Sequence, residues 1–278
     1  MKKRKQSSSL LAIIGFGGIA FFLFVAIFAD FLAPHPISEV VGAVWQGPSP
    51  QALLGTDNIG RDLLSRVIWG TRLTLSIAAA STIAAFAIGV PLGFLAALSK
   101  GWPDQLLSRT NDLLMAIPTL IFALVVLAVL PKSVFVLIAV MAVLEATRVF
   151  RVSRAIASDV VVLDYVEIAR LRGESKGWII FNEILPNALS PLLAEFGLRF
   201  VFAILFLSTL SFLGLGVQPP VADWGSLVKD NKDGLMFGVF AALIPGGTIA
   251  ALAISVNFVV DWVLQRTSSL KRGAQDNG

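Results

Sequence analysis

Side chains that commonly carry chemistry are scarce in this chain of 278 residues. It has no cysteine, which excludes disulfides, thiolate metal sites and cysteine nucleophiles. Its single histidine, His35, argues against a histidine-based metal site or catalytic triad. No G-x-x-x-x-G-K-[ST] loop for nucleotide phosphates occurs either. We therefore predict no catalytic, cofactor-binding or metal-binding residues. The side chains most informative about function are then the charged residues within apolar stretches.

Glu195 and Arg199 are such a pair. They lie four residues apart in an apolar stretch, and hence on one face of a helix. A charge at the centre of a membrane helix costs about 2.5–3.5 kcal/mol on insertion scales, so both side chains should pair or face water. Two interpretations are possible: an i,i+4 pair that only stabilises the fold, or a translocation path in which both side chains contact a polar substrate.

A polar, helix-forming stretch separates two long apolar runs and forms what we call the handle, residues 164–185. Asp164, three residues before Glu167, fits a capping box, which predicts a helix over 165–172 that Gly173 ends. A structured polar segment between two membrane spans suggests that a partner outside the membrane grips it. The handle and its end carry five marker residues: Glu167, Ala169, Gly173, Leu185 and Pro186.

The second half of the handle predicts another helix. Ser175 can cap it, and Pro186 is expected to stop it after Leu185. Upstream, three arginines at i+3 spacing indicate a helix that continues out of the preceding span: Arg148, Arg151 and Arg154.

The composition is that of a membrane protein. The chain is 56% hydrophobic and 14% charged, with a mean hydropathy of +0.82, whereas soluble domains carry about 25% charged residues. A span takes about 20 apolar residues. The prediction is an all-α polytopic membrane protein with six transmembrane helices, at about 10–32, 73–98, 112–131, 133–149, 191–213 and 237–264.

The placement of lysine and arginine predicts the orientation, because these residues accumulate in cytoplasmic loops. One set of loops holds Lys2, Lys3, Arg4, Lys5, Lys100, Arg109, Arg148, Arg151, Arg154, Arg170, Arg172, Lys176, Arg266, Lys271 and Arg272. The other holds only Arg61, Arg66, Arg72, Lys132, Lys229 and Lys232. Both termini and the 150–190 loop are therefore predicted to be cytoplasmic. This topology explains the net charge of +4, so no nucleic-acid partner is expected.

The segments between spans divide the chain into three parts. Residues 1–72 hold the first span and an outer loop with a short amphipathic helix, in which Leu63, Leu64, Val67 and Ile68 form the apolar face and Arg61, Asp62, Ser65 and Arg66 the polar face. Residues 73–264 form a five-span core that includes the 150–190 loop, and 265–278 form a cytoplasmic tail, of which the polar part 267–278 is expected to lack structure.

Small residues and prolines mark particular sites within the spans. Gly89 and Gly93 have the spacing that lets two helices approach closely. Pro91, Pro118 and Pro245 are expected to kink their spans, either as parts of a moving gate or as fixed packing irregularities.

The handle resembles the EAA loop of ABC importer permeases. Glu167-x-Ala169, Gly173 and Leu185-Pro186 have the family's spacing, although Ile168 replaces the middle alanine and Glu183 stands where isoleucine is usual. Other segments resemble the C-type permease subunit of the dipeptide, oligopeptide and nickel importers, a binding-protein-dependent transport inner-membrane component. They are residues 54–76, 112–118, 211–220 and 223–225.

The resemblance implies a type I ABC importer permease fold with a cytoplasmic coupling helix between spans 4 and 5. It implies alternating access in a bacterial plasma (inner) membrane, driven by ATP that separate subunits bind and hydrolyse. The implied partners are a homologous second permease, two ABC ATPase subunits, an extracytoplasmic solute-binding protein and membrane lipids. The five marker residues would then couple the permease to the ATPases.

Two other classes remain as alternatives. An ATP-independent secondary transporter would show inverted repeats and ionisable groups at the midplane, but no repeat is evident. An intramembrane enzyme would need an aspartate dyad, and no two spans offer one.

Overall fold

The chain is mostly helical, and its longest non-helical segment is residues 33–62. The structure is a computed structural model and describes residues 2–99 and 101–275, with side-chain surroundings for 10–99 and 101–265. Lys100 and the end of the predicted tail, residues 276–278, lie outside this part. The helices are α1 (Lys2–Ile27), α2 (Ala29–Leu32), α3 (Leu63–Ser99), α4 (Trp102–Ala116), α5 (Thr119–Val129), α6 (Val134–Val161), α7 (Asp164–Leu171), α8 (Lys176–Ile179), α9 (Leu185–Phe212), α10 (Trp224–Asn231) and α11 (Leu243–Gln275).

Four helical stretches within the described residues are long and apolar enough to cross a membrane. They are 10–27, 63–99, 176–212 and 243–265, and they contain most of the predicted first, second, fifth and sixth spans. α11 continues through Gln275, so the prediction of an unstructured tail is wrong as far as residue 275. No proline occurs between residues 265 and 275, and the helix simply extends into polar sequence.

The predicted third span, 112–131, is not one continuous helix. It is divided between α4 and α5, whose axes are bent by 81°. Pro118 causes the break: it disfavours the helical conformation of the residue before it, and Ile117 is accordingly extended, with φ −85° and ψ 128°. Pro118 therefore does more than kink a helix. If the bent pair counts as one span, five helical stretches could cross.

The predicted fourth span, 133–149, is the first part of α6. It does not pass the same test of apolarity, since any 18-residue stretch from the start of α6 includes Glu145, Arg148 and Arg151. The six-span count is thus not reached on length and apolarity alone. The helix itself continues well beyond 149, as the spacing of its arginines predicts.

The predicted amphipathic outer helix is not a separate element. Leu63 begins α3, which runs unbroken into the second span. Its polar face is buried rather than exposed to water, and the reason is Asp57, which is itself fully buried. Asp57 accepts hydrogen bonds from Nε of Arg61 at 2.7 Å and from a terminal nitrogen of Arg66.

Contacts divide the chain into two units. One comprises residues 1–80, 127–138 and 200–259. Trp224 is fully buried in it. The Trp224 backbone N–H donates to Thr74 Oγ1 at 3.1 Å, and its indole N–H donates to the Val67 carbonyl at 3.2 Å. Asp223 caps α10 and accepts hydrogen bonds from the backbone N–H groups of residues 225 and 226. Burial raises the pKa of this carboxyl.

The other unit comprises residues 81–126, 139–199 and 260–278 and contains the handle. In it α3 and α6 meet closely at Gly89 and Gly93, as predicted. A Cβ at Gly93 would lie 2.7 Å from the Phe150 carbonyl oxygen and 2.9 Å from the Arg154 backbone nitrogen. Only glycine permits this approach. The closely packed helices α3 and α6 together support the handle. Pro91 lies within α3, and Pro245 lies in the first turn of α11, at the start of the stretch 243–265, where a proline does not kink the helix.

Candidate functional site

Helix α7 and the turn after it form the first half of the handle. α7 covers Asp164–Leu171, within one residue of the predicted 165–172. Gly173 has a φ of +82°, a left-handed conformation that L side chains rarely adopt. Its N–H donates to the Arg170 carbonyl at 2.9 Å, and the Glu174 N–H donates to the Ala169 carbonyl at 3.2 Å. These two bonds make a Schellman turn, which confirms that Gly173 ends the helix.

The start of α7 differs from the prediction. Leu163 occupies the cap position, and no side chain caps the helix. Asp164 is already the first helical residue, so the predicted capping box with Glu167 is wrong. Both carboxylates lie in the first turn, where the helix dipole favours negative charge. The helix dipole therefore explains why Asp164 and Glu167 stand at the start of α7, and no capping hydrogen bond is needed.

The second half of the handle begins as predicted but does not end so. Ser175 Oγ accepts a hydrogen bond from the Trp178 N–H at 3.2 Å and caps α8. Beyond α8 a π-helical segment, Ile180–Ile184, leads directly into α9. Pro186 is thus the second residue of α9, and the prediction that it stops the helix is wrong. The wider π turn just before it accommodates a ring that would clash in a regular helix.

One face of the handle is anchored in the interior of its unit. Val166, Ala169, Ile179 and Ile184 are buried there, and Leu185 packs against them. The small side chain of Ala169 thus permits close approach to the chain's own helices. The core that receives this face comes from α3, α6 and α9, through Phe94, Ala97, Leu98, Ala157, Val160, Val161, Ala188 and Leu192.

The opposite face is exposed and partly apolar. Ile168 is 55% exposed and Leu171 82%, on either side of buried Ala169. Tyr165 and Glu167 are also exposed. The Tyr165 side chain is still partly shielded from water, and this desolvation, together with the negative charge of Glu183, raises the pKa of the Tyr165 hydroxyl. Exposed apolar groups beside polar ones are typical of a surface that binds another protein.

Sequence reasoning overlooked the two largest contributors to this face. Ile168 counted only as a departure from the family pattern, and Leu171 was not considered. Helical periodicity carries the signal that could have found them. Residues 164, 165, 168, 171 and 172 share one face of a helix, while Val166 and Ala169 lie on the other.

A second group of charged side chains lies within the helices of the same unit. Arg199 donates to Glu195 at 2.7 Å, as the i,i+4 spacing predicts. Arg199 also approaches Glu145, with 3.4 Å between Nη1 and Oε2. The other oxygen of Glu145 accepts from Arg148, whose second terminal nitrogen donates to Thr119 Oγ1 at 3.2 Å. Two carboxylates and two guanidinium groups thus form one charge-balanced network.

Glu145 is the centre of this network, and sequence reasoning missed it. Its side chain is only 3% exposed, whereas that of Arg148 is 35% exposed. The charge of Arg148 alone suggests a loop position, but the residue lies inside α6. The available signal was the i,i+3 spacing of Glu145 and Arg148 inside an apolar run, which is as informative as the Glu195 and Arg199 pair.

The next two arginines of α6 bind α4. Arg154 forms a two-pronged pair with Asp104, with distances of 2.6 and 2.7 Å. Arg151 donates to Asp112 at 3.1 Å. The basic series that predicted the topology therefore also holds α4 and the elbow at Pro118 against α6. No group of three or more acidic or histidine side chains that could bind a metal occurs among the described residues.

Comparison with known proteins finds a family whose sequence pattern covers most of this chain. Residues 89–269 match the family described as "Binding-protein-dependent transport system inner membrane component". This chain belongs to that family. The matched residues include α4 to α9, and hence the handle and the charged network.

Individual relatives of this permease are named as permease proteins of peptide or glutathione transport systems. A dipeptide transport system permease protein, DppC, of Alkalihalophilus pseudofirmus is 32% identical over 94% of this chain and 84% of its own length. A di/tripeptide transport system permease protein, DppC, of Pseudomonas aeruginosa is 34% identical over 88% of this chain and 84% of its own. A glutathione transport system permease protein, GsiD, of Pectobacterium atrosepticum is 30% identical over 85% and 79%.

The chain is therefore a C-type permease subunit of an ABC importer, and it is a membrane component rather than an enzyme. The resemblance inferred from the sequence is confirmed, and the ATP-independent alternative finds no support. Its helical, multi-pass architecture agrees with a place in the inner membrane.

Proposed function

We propose that this permease forms half of the membrane pathway of an ATP-driven importer for peptides or related small solutes. The support for the substrate class is that several relatives are named for dipeptides, tripeptides or glutathione. An extracytoplasmic binding protein would deliver the solute. A homologous second permease would complete the pathway, and two ABC ATPase subunits would bind and hydrolyse ATP, so this chain needs no cofactor of its own.

The handle carries the proposal. Its inner face is anchored in the permease core, and its outer face is free of contacts that would bury it. Such an element can transmit a force only if something binds the outer face. We propose that this partner is an ATPase subunit, and that ATP-driven closure of the ATPases moves the handle and the helices beneath it. Contacts made only in the closed state would shift the permease between two conformations.

The five marker residues have three kinds of role in this proposal. Glu167 lies exposed beside Ile168 and Leu171 and would meet the ATPase. Ala169 and Leu185 fix the handle to the core. Gly173 provides the left-handed turn, and Pro186 follows the π-helical segment at the point where the handle joins α9.

We further propose six spans, with both termini in the cytoplasm. α6 would be the fourth complete span despite its charges. Charged residues in membrane helices pair with one another or face water, and Glu145 does pair with Arg148 and Arg199. The handle, between the fourth and fifth spans, would then lie on the cytoplasmic side.

Glu195 and Arg199 remain candidates for the translocation path. Their bonds to each other and to Glu145 support a stabilising role. The partial exposure of Arg148 is compatible with a polar solute passing beside the network. Glu195→Gln combined with Arg199→Gln distinguishes the two roles: unchanged selectivity and rate in an assembled complex would leave only the stabilising one.

Co-purification tests the proposed assembly. The chain should be expressed with its native neighbours, extracted in mild detergent, and its partners identified by mass spectrometry. We expect a second permease and ATPases with phosphate-binding loops, and ATP-dependent peptide uptake after reconstitution with the binding protein. Recovery of the chain alone, with uptake that needs no ATP, would overturn the proposal.

A further inference from the structure

An apolar cavity of about 310 Å³ lies between α3, α4 and α6, within the unit that contains the handle. Its volume is in the range of small-molecule sites, about 300–1,000 Å³. Its floor is buried and its rim is exposed, so it opens at the surface of this chain. The lining is Ile88, Leu92, Leu106, Leu107, Thr110, Asn111, Leu114, Val143, Ala146, Thr147 and Phe150.

The wall that α4 contributes continues into an exposed stripe. Trp102, Leu106, Arg109 and Leu113 succeed one another at intervals of four, three and four residues, and hence lie along one side of the helix. All four are exposed. Leu106 belongs both to this stripe and to the rim of the cavity. The stripe and the cavity therefore form one continuous surface.

The stripe has the composition of a membrane interface. Tryptophan and arginine concentrate where a protein meets lipid headgroups, and amphipathic helices at that depth bury leucine beside them. The bend of 81° between α4 and α5 means that the two cannot both follow the membrane normal. If α5 follows the membrane normal, α4 lies close to the membrane plane, as an interfacial helix does.

The charges of α4 leave Arg109 available for an anion. Both carboxylates of α4 are engaged by α6, Asp104 by Arg154 and Asp112 by Arg151. Their pairing leaves the exposed Arg109 guanidinium as the charge of α4 that faces outward beside the apolar stripe. A guanidinium group is well suited to bind phosphate through two parallel hydrogen bonds.

We propose that this surface is a phospholipid-binding site, in which one acyl chain fills the cavity and the phosphate binds Arg109. A helix of the second permease is a poorer occupant, because close helix contacts in membranes favour small residues rather than tryptophan and arginine. The site goes beyond the importer function and needs only that the chain lie in a membrane. A lipid bound here would also support α4, and through the two ion pairs the end of α6 that leads to the handle.

Photolabelling of the assembled importer tests this site. The probe is phosphatidylglycerol with a diazirine in one acyl chain, in vesicles of phosphatidylcholine. In the wild type we expect labelled peptides from the cavity lining, with label lost when unlabelled phosphatidylglycerol is added in excess. Label spread evenly over all lipid-facing helices would overturn the proposal without any variant being needed.

Matched variants sharpen the test. Thr110→Trp fills the cavity, whereas Gln105→Trp places the same side chain at an exposed position of the same helix that belongs neither to the lining nor to the stripe. We expect the first to lose the cavity label and the second to keep it. Arg109→Gln should weaken labelling, and Lys132→Gln, which removes another exposed cation, should not. Equal labelling of the two tryptophan variants contradicts the site. A photoreactive amino acid placed at position 110 gives a second check, because a crosslink from it to the second permease would also contradict the site.

Discussion

Ile168 and Ala169 are neighbours in the chain with opposite surroundings. Ala169 is fully buried against the core, while Ile168 is 55% exposed. The handle thus has one surface that fixes its position and one that is available to a partner. The contacts of the inner surface are set within this chain, so changes on the outer surface should alter binding without altering folding.

Leu171→Asp should weaken the association with the ATPase. Leu171 is 82% exposed, and an aspartate there would replace apolar contact area with a charge that must lose water on binding. We expect reduced co-purification of the ATPase and reduced uptake, with normal amounts of this chain in the membrane. Met236→Asp is the matched control, since Met236 is 86% exposed but lies between the predicted spans 191–213 and 237–264, in the loop that holds Lys229 and Lys232 on the side opposite the handle. Equal loss in both variants would contradict a specific role for Leu171.

Gly173→Val should uncouple ATP hydrolysis from uptake or block assembly. The left-handed conformation at φ +82° costs an L residue roughly 1–2 kcal/mol, and more for a β-branched one, whereas asparagine tolerates it best. No other part of the described chain lies within 4 Å of a Cβ at Gly173, so the cost arises from the backbone conformation of the residue itself. Gly173→Asn should therefore retain most activity, and so should Gly177→Val in the neighbouring helix. Hydrolysis and uptake are measured together in proteoliposomes.

Glu145→Gln should destabilise the permease more than loss of any other member of the network. Removal of one partner from a buried ion pair costs roughly 3–5 kcal/mol, because the remaining charge is left unpaired. Glu145 serves two arginines at once. Adding Arg148→Gln removes the excess positive charge and should recover part of the loss. Thermal unfolding of the complex in detergent measures both steps; an equally stable single variant would show that the network contributes little.

Gly93→Val should separate α3 from α6. The added Cβ would lie within 3 Å of backbone atoms of Phe150 and Arg154, which cannot move as a side chain can. Overpacking of this kind costs about 1–3 kcal/mol or more. We expect a lower unfolding temperature and weaker anchoring of the handle. Gly17→Val serves as the control, because no atom lies within 4 Å of its Cβ position.

Local sequence patterns predicted the parts of this fold that depend on local chemistry. Apolar runs located the four unambiguous span helices. Ser175 and Gly173 marked a cap and a turn because each acts on backbone groups within a few residues. The spacing of Gly89 and Gly93 predicted a close helix contact, although the partner helix could not be named.

The errors arose where one sequence pattern is compatible with more than one structure. The buried partner of Arg61 and Arg66 is Asp57, so their amphipathic pattern described an interior surface rather than one facing water. Pro186 continues a helix because the π turn before it makes room. Glu145 was overlooked because its importance comes from Arg199, on another helix. Periodicity shows which face of a helix a residue occupies, but it does not show whether that face is buried or how the backbone adjusts around a proline.

Cysteine crosslinking at Leu171 tests the central claim, that the outer face of the handle binds the ATPase. The chain has no native cysteine, so Leu171→Cys introduces a unique thiol. With a bifunctional thiol reagent, we predict a crosslink from Leu171→Cys to the ATPase subunit and none from Met236→Cys, which should react instead with an impermeant reagent from outside. If uptake is intact but Leu171→Cys never reaches the ATPase, or reacts from outside, the account is contradicted.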